Sequence, residues 1–78
     1  MQLAVALKTI RQKAFMTQDC FAKELCVTVS TVNRWEHRKA KPNLKAMKKL
    51  KSFCKKHDLS YEVIESAWFD AQNNKWGN

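Results

Sequence analysis

The sequence predicts an all-α fold, a small domain of five short helices. Glycine and proline, the residues that most often interrupt helices, each occur only once in 78 residues. Apolar residues recur at spacings of three and four, which place them on one face of a helix. Side chains that can cap a helix stand before four of these stretches, at Thr17, Thr28, Asn43 and Ser60. We expect one folded domain over residues 1–69 and a polar tail over residues 70–78.

The first two helices follow from this pattern. The first is predicted from an apolar stripe at Leu3, Leu7, Ile10 and Ala14. The second begins after Thr17, whose hydroxyl can accept a hydrogen bond from an unpaired amide of the first turn. Asp19 lies in that first turn, where a negative charge is favourable. The inward positions of this helix are Phe21, Ala22 and Leu25.

The third helix is short and polar on one face. It is predicted to follow Thr28 and to continue to about His37, with Val32 and Trp35 directed inward. The spacing of Trp35 from Val32 indicates a core residue rather than a ring that stacks on a ligand. The positions left exposed are Ser30, Thr31, Asn33 and Arg34.

The last two helices complete the predicted fold. Asn43, directly after Pro42, can cap a fourth helix whose other face is almost entirely lysine. Its apolar stripe is Leu44, Met47, Leu50, Phe53 and Cys54. Ser60 can cap a fifth helix with apolar positions at Tyr61, Ile64, Ala67 and Trp68.

The charge of the chain points to a polyanionic partner. Fifteen Lys and Arg against seven Asp and Glu give a net charge of +8, and nucleic acid is the default candidate. The apolar run at the start is too short for a secretory signal, and no stretch is long enough to span a membrane. We therefore expect a cytoplasmic protein in which Cys20, Cys26 and Cys54 are reduced, partly buried thiols.

The segment TQDCFAKELCVTVSTVNRWEHRKAKP, residues 17–42, resembles the helix-turn-helix of the phage-repressor (Cro and lambda-repressor-like, XRE) family. The resemblance covers roughly residues 5–65 and implies a compact five-helix, lambda-repressor-like DNA-binding domain, with helices two and three as the helix-turn-helix. The family usually has glycine at the positions of Cys26 and Arg38. Such positions commonly have a left-handed backbone, which a non-glycine residue adopts at a cost of about 1 kcal/mol.

The third helix carries side chains that can read base edges in a major groove. Arg34 can bind guanine, Asn33 can pair with adenine, and Val29 can contact a thymine methyl group. The predicted base-reading residues are Val29, Ser30, Asn33 and Arg34. An ordinary solvated helix face is the alternative interpretation of the same residues.

Other residues are predicted to contact the DNA backbone or to support the third helix. The resemblance implies that Gln18 binds a phosphate, and that Arg11 forms a structural ion pair with Glu36. The predicted phosphate-binding residues are Gln18, Thr31, Lys39, Lys41 and Lys45. The remaining lysines of the fourth helix lie past its start, and a solvated face is the preferred interpretation.

A homodimer is predicted from the end of the chain. Trp68 and Phe69 lie about 100° apart on a helix, so a small core leaves one of them outside unless the tail covers both. The family often pairs through this region, and the predicted interface is Ile64, Trp68 and Phe69. A dimer would bind a palindromic operator.

Competing functions find less support. Cys54 and His57 have a possible metal-ligand spacing, with Cys20 and Cys26 as further ligands, but no tight cysteine pair exists. No catalytic pattern is present, so we expect no enzyme, no metal and no cofactor. The leading hypothesis is a sequence-specific, double-stranded DNA-binding transcriptional regulator, a small phage, prophage or plasmid repressor. Two alternatives stay open: a DNA-binding antitoxin with a toxin partner, and a helical adaptor that binds protein or RNA.

Overall fold

The computed structural model describes residues 2–73, with side chains to residue 71. Five helices and no strand are present in this part of the chain, which confirms the predicted all-α fold. In chain order they are α1 (Leu3–Lys13), α2 (Gln18–Glu24), α3 (Val29–Glu36), α4 (Leu44–Lys56) and α5 (Glu62–Asn73). None of these helices is long and apolar enough to cross a membrane.

Three of the predicted helix caps form as expected. Thr17 Oγ1 accepts a hydrogen bond from the amide of Cys20 at 3.2 Å. Thr28 Oγ1 and Asn43 Oδ1 do the same for the amides three residues further on, at 3.1 Å and 2.9 Å. The position predicted for the cap of α5 differs from the structure. Helix α5 begins at Glu62, so the residue directly before it is Tyr61 rather than Ser60. The Tyr61 carbonyl accepts the first helical bond, from the Glu65 amide at 2.9 Å.

Four helices end in the same way, at a residue with a left-handed backbone. Cys26 and Arg38, where the family usually has glycine, have φ angles of 58° and 60°. Phe15 and Asp58, each with a φ of 56°, were not predicted. After each of these residues the chain closes back on the helix, as where the amide of Met16 donates to the Arg11 carbonyl at 3.1 Å. Each helix of the four therefore ends with a non-glycine residue in a conformation that favours glycine.

The core contains most of the residues predicted to lie inward. Phe21 of α2 meets Phe53 of α4 edge to face, with ring centroids 5.0 Å apart, and both side chains are buried. Leu44 is exposed over 69% of its surface, whereas Ala14 and Tyr61 are partly buried against the core. Leu44 is the first residue of α4, and a helical side chain points back toward the N-terminus, past the packed part of the helix. Ala46, two residues further along, is buried instead.

The fifth helix extends beyond the predicted end of the domain. It continues to Asn73, and Ala71 is buried against the core, so residues 70–73 are not part of a separate tail. The rest of the predicted polar tail, residues 74–78, lies outside the described residues. Since α5 packs against α1, the two ends of the folded chain lie side by side.

Candidate nucleic-acid interface

The third helix has one buried face and one exposed face. Val32 and Trp35 are buried, as predicted, and hold α3 against α2 and α1. The predicted base-reading residues all lie on the exposed side, namely Val29, Ser30, Asn33 and Arg34. The structure therefore presents one apolar, one hydroxyl, one amide and one guanidinium group on a single helix surface.

Arg11 and Glu36 form the predicted ion pair, which joins α1 to the end of α3. Arg11 Nε donates to Glu36 Oε2 at 2.7 Å and Arg11 Nη2 donates to Glu36 Oε1 at 3.0 Å, a bidentate arrangement. The side chains are 12% and 3% exposed. The hydrogen bonds to Glu36 raise the pKa of Arg11 above its usual value, against the opposing effect of burial. Arg11 Nη1 also donates to the Met16 carbonyl at 2.9 Å, which ties the pair to the loop before α2.

Gln18 connects this ion pair to the exposed face of α3. Its Nε2 donates to Glu36 Oε1 at 3.1 Å, and its Oε1 accepts from Asn33 Nδ2 at 3.3 Å. A continuous series of side chains therefore runs from Arg11 through Glu36 and Gln18 to Asn33. The sequence predicted a phosphate contact for Gln18, and it contained no signal for the bond to Asn33. We call these four residues the Arg11–Asn33 series.

Thr31 has a local role at the start of α3. Its hydroxyl lies 2.9 Å from that of Thr28, and its amide donates to the same Thr28 oxygen. The side chain is partly buried, whereas the prediction placed it among the exposed residues. The Thr31 hydroxyl, which was predicted to bind a phosphate, is therefore already paired with the hydroxyl of the capping residue Thr28.

The loop between α3 and α4 carries two of the predicted phosphate-binding lysines. Lys39 is exposed, while Lys41 is partly buried with Nζ 5.2 Å from the centre of the Trp68 ring. The indole Nε1 of Trp68 donates to the Pro42 carbonyl at 2.7 Å. Lys45 is exposed on the first turn of α4, directly after this loop. The sequence did not indicate that α5 contacts the loop.

The lysine face of α4 borders an open groove of about 410 Å³ between α2 and α4. The lining residues are Glu24, Lys45, Lys48, Lys49, Ser52, Phe53 and Lys56. Glu24 Oε1 lies 3.4 Å from Lys56 Nζ and 3.2 Å from His57 Nε2, and these contacts join α2 to the end of α4. The hydrogen bonds from His57 and Lys56 lower the pKa of Glu24 below its usual value.

The cysteines are distributed differently from the prediction. Cys54 is buried, and burial raises the pKa of its thiol. Cys20 and Cys26 are exposed, so the expectation of partly buried thiols is wrong for both. Cys20 lies on the outer face of α2, and Cys26 occupies the left-handed turn position after it. Across residues 2–73, no three His, Cys, Asp or Glu side chains are grouped as a metal site would require.

The residues of the predicted interface fall into two groups. Ile64 and Trp68 are buried within the protomer, whereas Phe69 is 57% exposed. Phe69 packs edge to face on Trp68, with ring centroids 5.2 Å apart. One ring of the two therefore faces outward, as predicted, whereas Ile64 is fully buried and Trp68 is 7% exposed. Val63 is a further exposed apolar residue on the same helix.

Comparison with known proteins agrees with this geometry. A family model described as helix-turn-helix matches residues 7–62, well over half of the chain. No curated protein matches the chain, and no solved structure matches it.

Proposed function

Because the chain belongs to the helix-turn-helix family of the Cro and lambda-repressor type, we propose that it is a sequence-specific transcriptional regulator. It binds double-stranded DNA with α3 in the major groove and acts as a small repressor of the phage, prophage or plasmid kind. The observation that carries this proposal is the Arg11–Asn33 series, since it holds a base-reading amide on the exposed face of α3.

Asn33 keeps the atoms that adenine recognition needs. It donates one N–H to Gln18, which leaves its second N–H and its carbonyl oxygen for a ligand. An adenine presents an acceptor at N7 and a donor at N6 in the major groove, so the two sets match. Arg34 is adjacent and exposed, and its fork of donors suits the two acceptors of guanine. These two residues supply the polar base contacts, and Val29 supplies an apolar one.

The phosphate contacts come from both sides of α3. Lys39, Lys41 and Lys45 lie in the loop after α3 and on the first turn of α4. Gln18 retains one amide N–H beyond its bond to Glu36 and can donate it to a phosphate on the other side. Thr31 contributes least, because its hydroxyl is already paired with Thr28. Contacts of this kind set the position of the protein on the duplex and add affinity on any sequence.

The proposed assembly is a homodimer on a palindromic operator. Phe69 and Val63 provide exposed apolar surface on α5, and Phe69 lies next to the buried Trp68. A two-fold axis near this surface would place two copies of α3 in successive major grooves about 34 Å apart. Sedimentation of the protein alone and on its site measures this directly. A single protomer on each preferred duplex would contradict the dimer.

Selection of bound duplexes from a random pool at fixed salt tests the function itself. We expect enrichment of a site with two related half-sites about one helical turn apart. Salt must be held constant, since the phosphate contribution depends on it steeply. A pool that stays random after selection, or a preference for RNA over duplex DNA, would contradict sequence-specific regulation.

Replacing Gln18 by alanine separates its two possible roles. If it orients Asn33, the variant loses affinity for the preferred site while binding to random duplex stays nearly constant. If it only binds a phosphate, affinity falls equally on both duplexes. Cys20→Ala, an exposed and neutral position on the same helix, is the matched control.

A further inference from the structure

The buried indole of Trp68 bridges two parts of the molecule that are distant in sequence. It belongs to α5, yet its Nε1 donates at 2.7 Å to the carbonyl of Pro42, 26 residues earlier. The same ring lies 5.2 Å from the ammonium nitrogen of Lys41. Two consecutive loop residues therefore contact a single side chain of the C-terminal helix.

The hydrogen bond to Pro42 restrains the loop backbone. Both residues are buried, so the Pro42 carbonyl has no easy access to water in this conformation. A buried carbonyl that loses its donor is unfavourable, and the loop would have to move to hydrate it. The indole N–H therefore favours the one loop conformation in which the bond is satisfied.

The ring face directs the ammonium group of Lys41. The negative face of an indole attracts a cation above it, and Lys41 Nζ lies 5.2 Å from the centre of the Trp68 ring. A flexible lysine stem otherwise loses considerable rotamer freedom when its charge is placed beside a ligand. Contact with the ring before binding removes part of that loss.

We propose that Trp68 is a positioning residue for DNA binding, which holds the α3–α4 loop and Lys41 in place for a phosphate contact. The proposal rests on the proposed function, since Lys41 is one of the phosphate-binding residues assigned there. It adds that α5, which carries none of the residues assigned to contact DNA, contributes to the affinity for DNA through this loop.

Trp68→Phe is the informative variant, because it keeps an aromatic face and removes the N–H donor. We expect binding to weaken about three- to tenfold, equally on the preferred and on a random duplex. The slope of log affinity against log salt should fall by about 0.9 for each bound protomer, the change expected for one lost phosphate contact per protomer. In a Lys41→Gln background the same replacement should have almost no further effect. Full additivity of the two variants would overturn the proposal.

A control variant separates positioning from general stability. Ile64→Val removes a methylene from the core one turn earlier on the same helix, and it lowers stability while leaving the Trp68 indole N–H in place. It should leave both the affinity and the salt slope unchanged under conditions where every variant is folded by circular dichroism. A loss of affinity equal to that of Trp68→Phe would show that stability alone is responsible.

Backbone relaxation in the free protein tests the positioning without DNA. Order parameters of the Lys39, Ala40 and Lys41 amides should be close to the rigid value of about 0.85 in the wild type, and below about 0.6 in Trp68→Phe. A loop that stays rigid in the variant overturns the proposal whatever the DNA results are. If instead Lys41→Gln alone leaves the salt slope unchanged, the phosphate contact of the proposed function has failed, and the relaxation data still decide the role of Trp68.

Discussion

Two glutamates join helices in this molecule, and they do so in different environments. Glu36 binds Arg11 across α3 and α1, with a carboxylate that is only 3% exposed and two hydrogen bonds to the same guanidinium. Glu24 binds Lys56 and His57 across α2 and α4, at longer distances and with the lysine 68% exposed. The chemical groups are similar, so burial and geometry are the main differences between the two sites.

The comparison shows which contacts can support recognition. The buried pair also accepts a hydrogen bond from Gln18, and through it reaches Asn33 on the exposed face of α3. The exposed pair borders the lysine groove, where water and salt screen each charge. We therefore expect the Glu36 site to determine both stability and base reading, and the Glu24 site to contribute little to either.

The largest difference should appear when each glutamate is replaced by glutamine. Glu36→Gln leaves Arg11 charged and nearly buried, and we expect it to lower the free energy of unfolding by about 3–5 kcal/mol. Glu24→Gln is the matched control and should lose much less. Urea unfolding of both variants measures the effects. The double variant Arg11→Met with Glu36→Leu should lose less stability than the sum of the losses of Arg11→Met and Glu36→Leu alone. Similar losses of stability for Glu24→Gln and Glu36→Gln would refute the comparison.

The next effect concerns base reading by Asn33, at the exposed end of the Arg11–Asn33 series. Asn33→Ala should weaken binding to the preferred site by about 1–3 kcal/mol and change binding to random duplex little. Lys39→Ala should weaken both equally, because a phosphate contact carries no sequence information. Titrations of the two variants on both duplexes at one salt concentration measure the effects. Equal losses on both duplexes for Asn33→Ala would remove base reading from the proposed function.

A smaller, stabilising effect is expected at the end of α1. Phe15 is 96% exposed and adopts a φ of 56°, so its side chain adds little packing to a conformation that glycine adopts more easily. Phe15→Gly should raise the free energy of unfolding by about 0.5–1 kcal/mol. Phe15→Ala keeps the Cβ atom and serves as the control, since an equal gain would point to the exposed ring instead. The stabilised chain also provides a folded background for the Glu36 variants.

The smallest effect is a pH dependence at Glu24. Its pKa lies below the ordinary value of 4.5 in the folded protein, so the folded state favours the ionised carboxylate. The resulting stability is complete above pH 4.5 and is lost as the pH falls through the lower folded pKa. Urea unfolding from neutral to acidic pH should therefore show the wild type and Glu24→Gln converging in acid. If the difference in unfolding free energy between the two proteins does not change with pH, it comes from a contact that does not depend on the ionisation of Glu24.

The candidate site was predicted unevenly from the sequence. The exposed positions of Asn33 and Arg34 followed from the spacing of Val32 and Trp35, which place the other face of α3 inward. The Arg11–Glu36 pair followed only from the resemblance to a family, because the two residues are 25 positions apart. Leu44 matched the stripe of α4 but lies at its first position, beyond the packed part of the helix. The family's usual glycines marked Cys26 and Arg38 as positions where a left-handed backbone is common, whereas the sequence contained no signal for the left-handed residues Phe15 and Asp58.

The sequence by itself determined the helices, three of their caps and most of the core, because these depend on side chains within four residues of each other along the chain. Only the tertiary structure decided that Gln18 contacts both Glu36 and Asn33, and that Trp68 contacts the loop at Pro42. It also decided that Phe69, rather than Trp68, faces outward. The physical reason is that a hydrogen bond between two helices depends on their relative position to within a fraction of an ångström, and helical periodicity contains no information about the distance between helices.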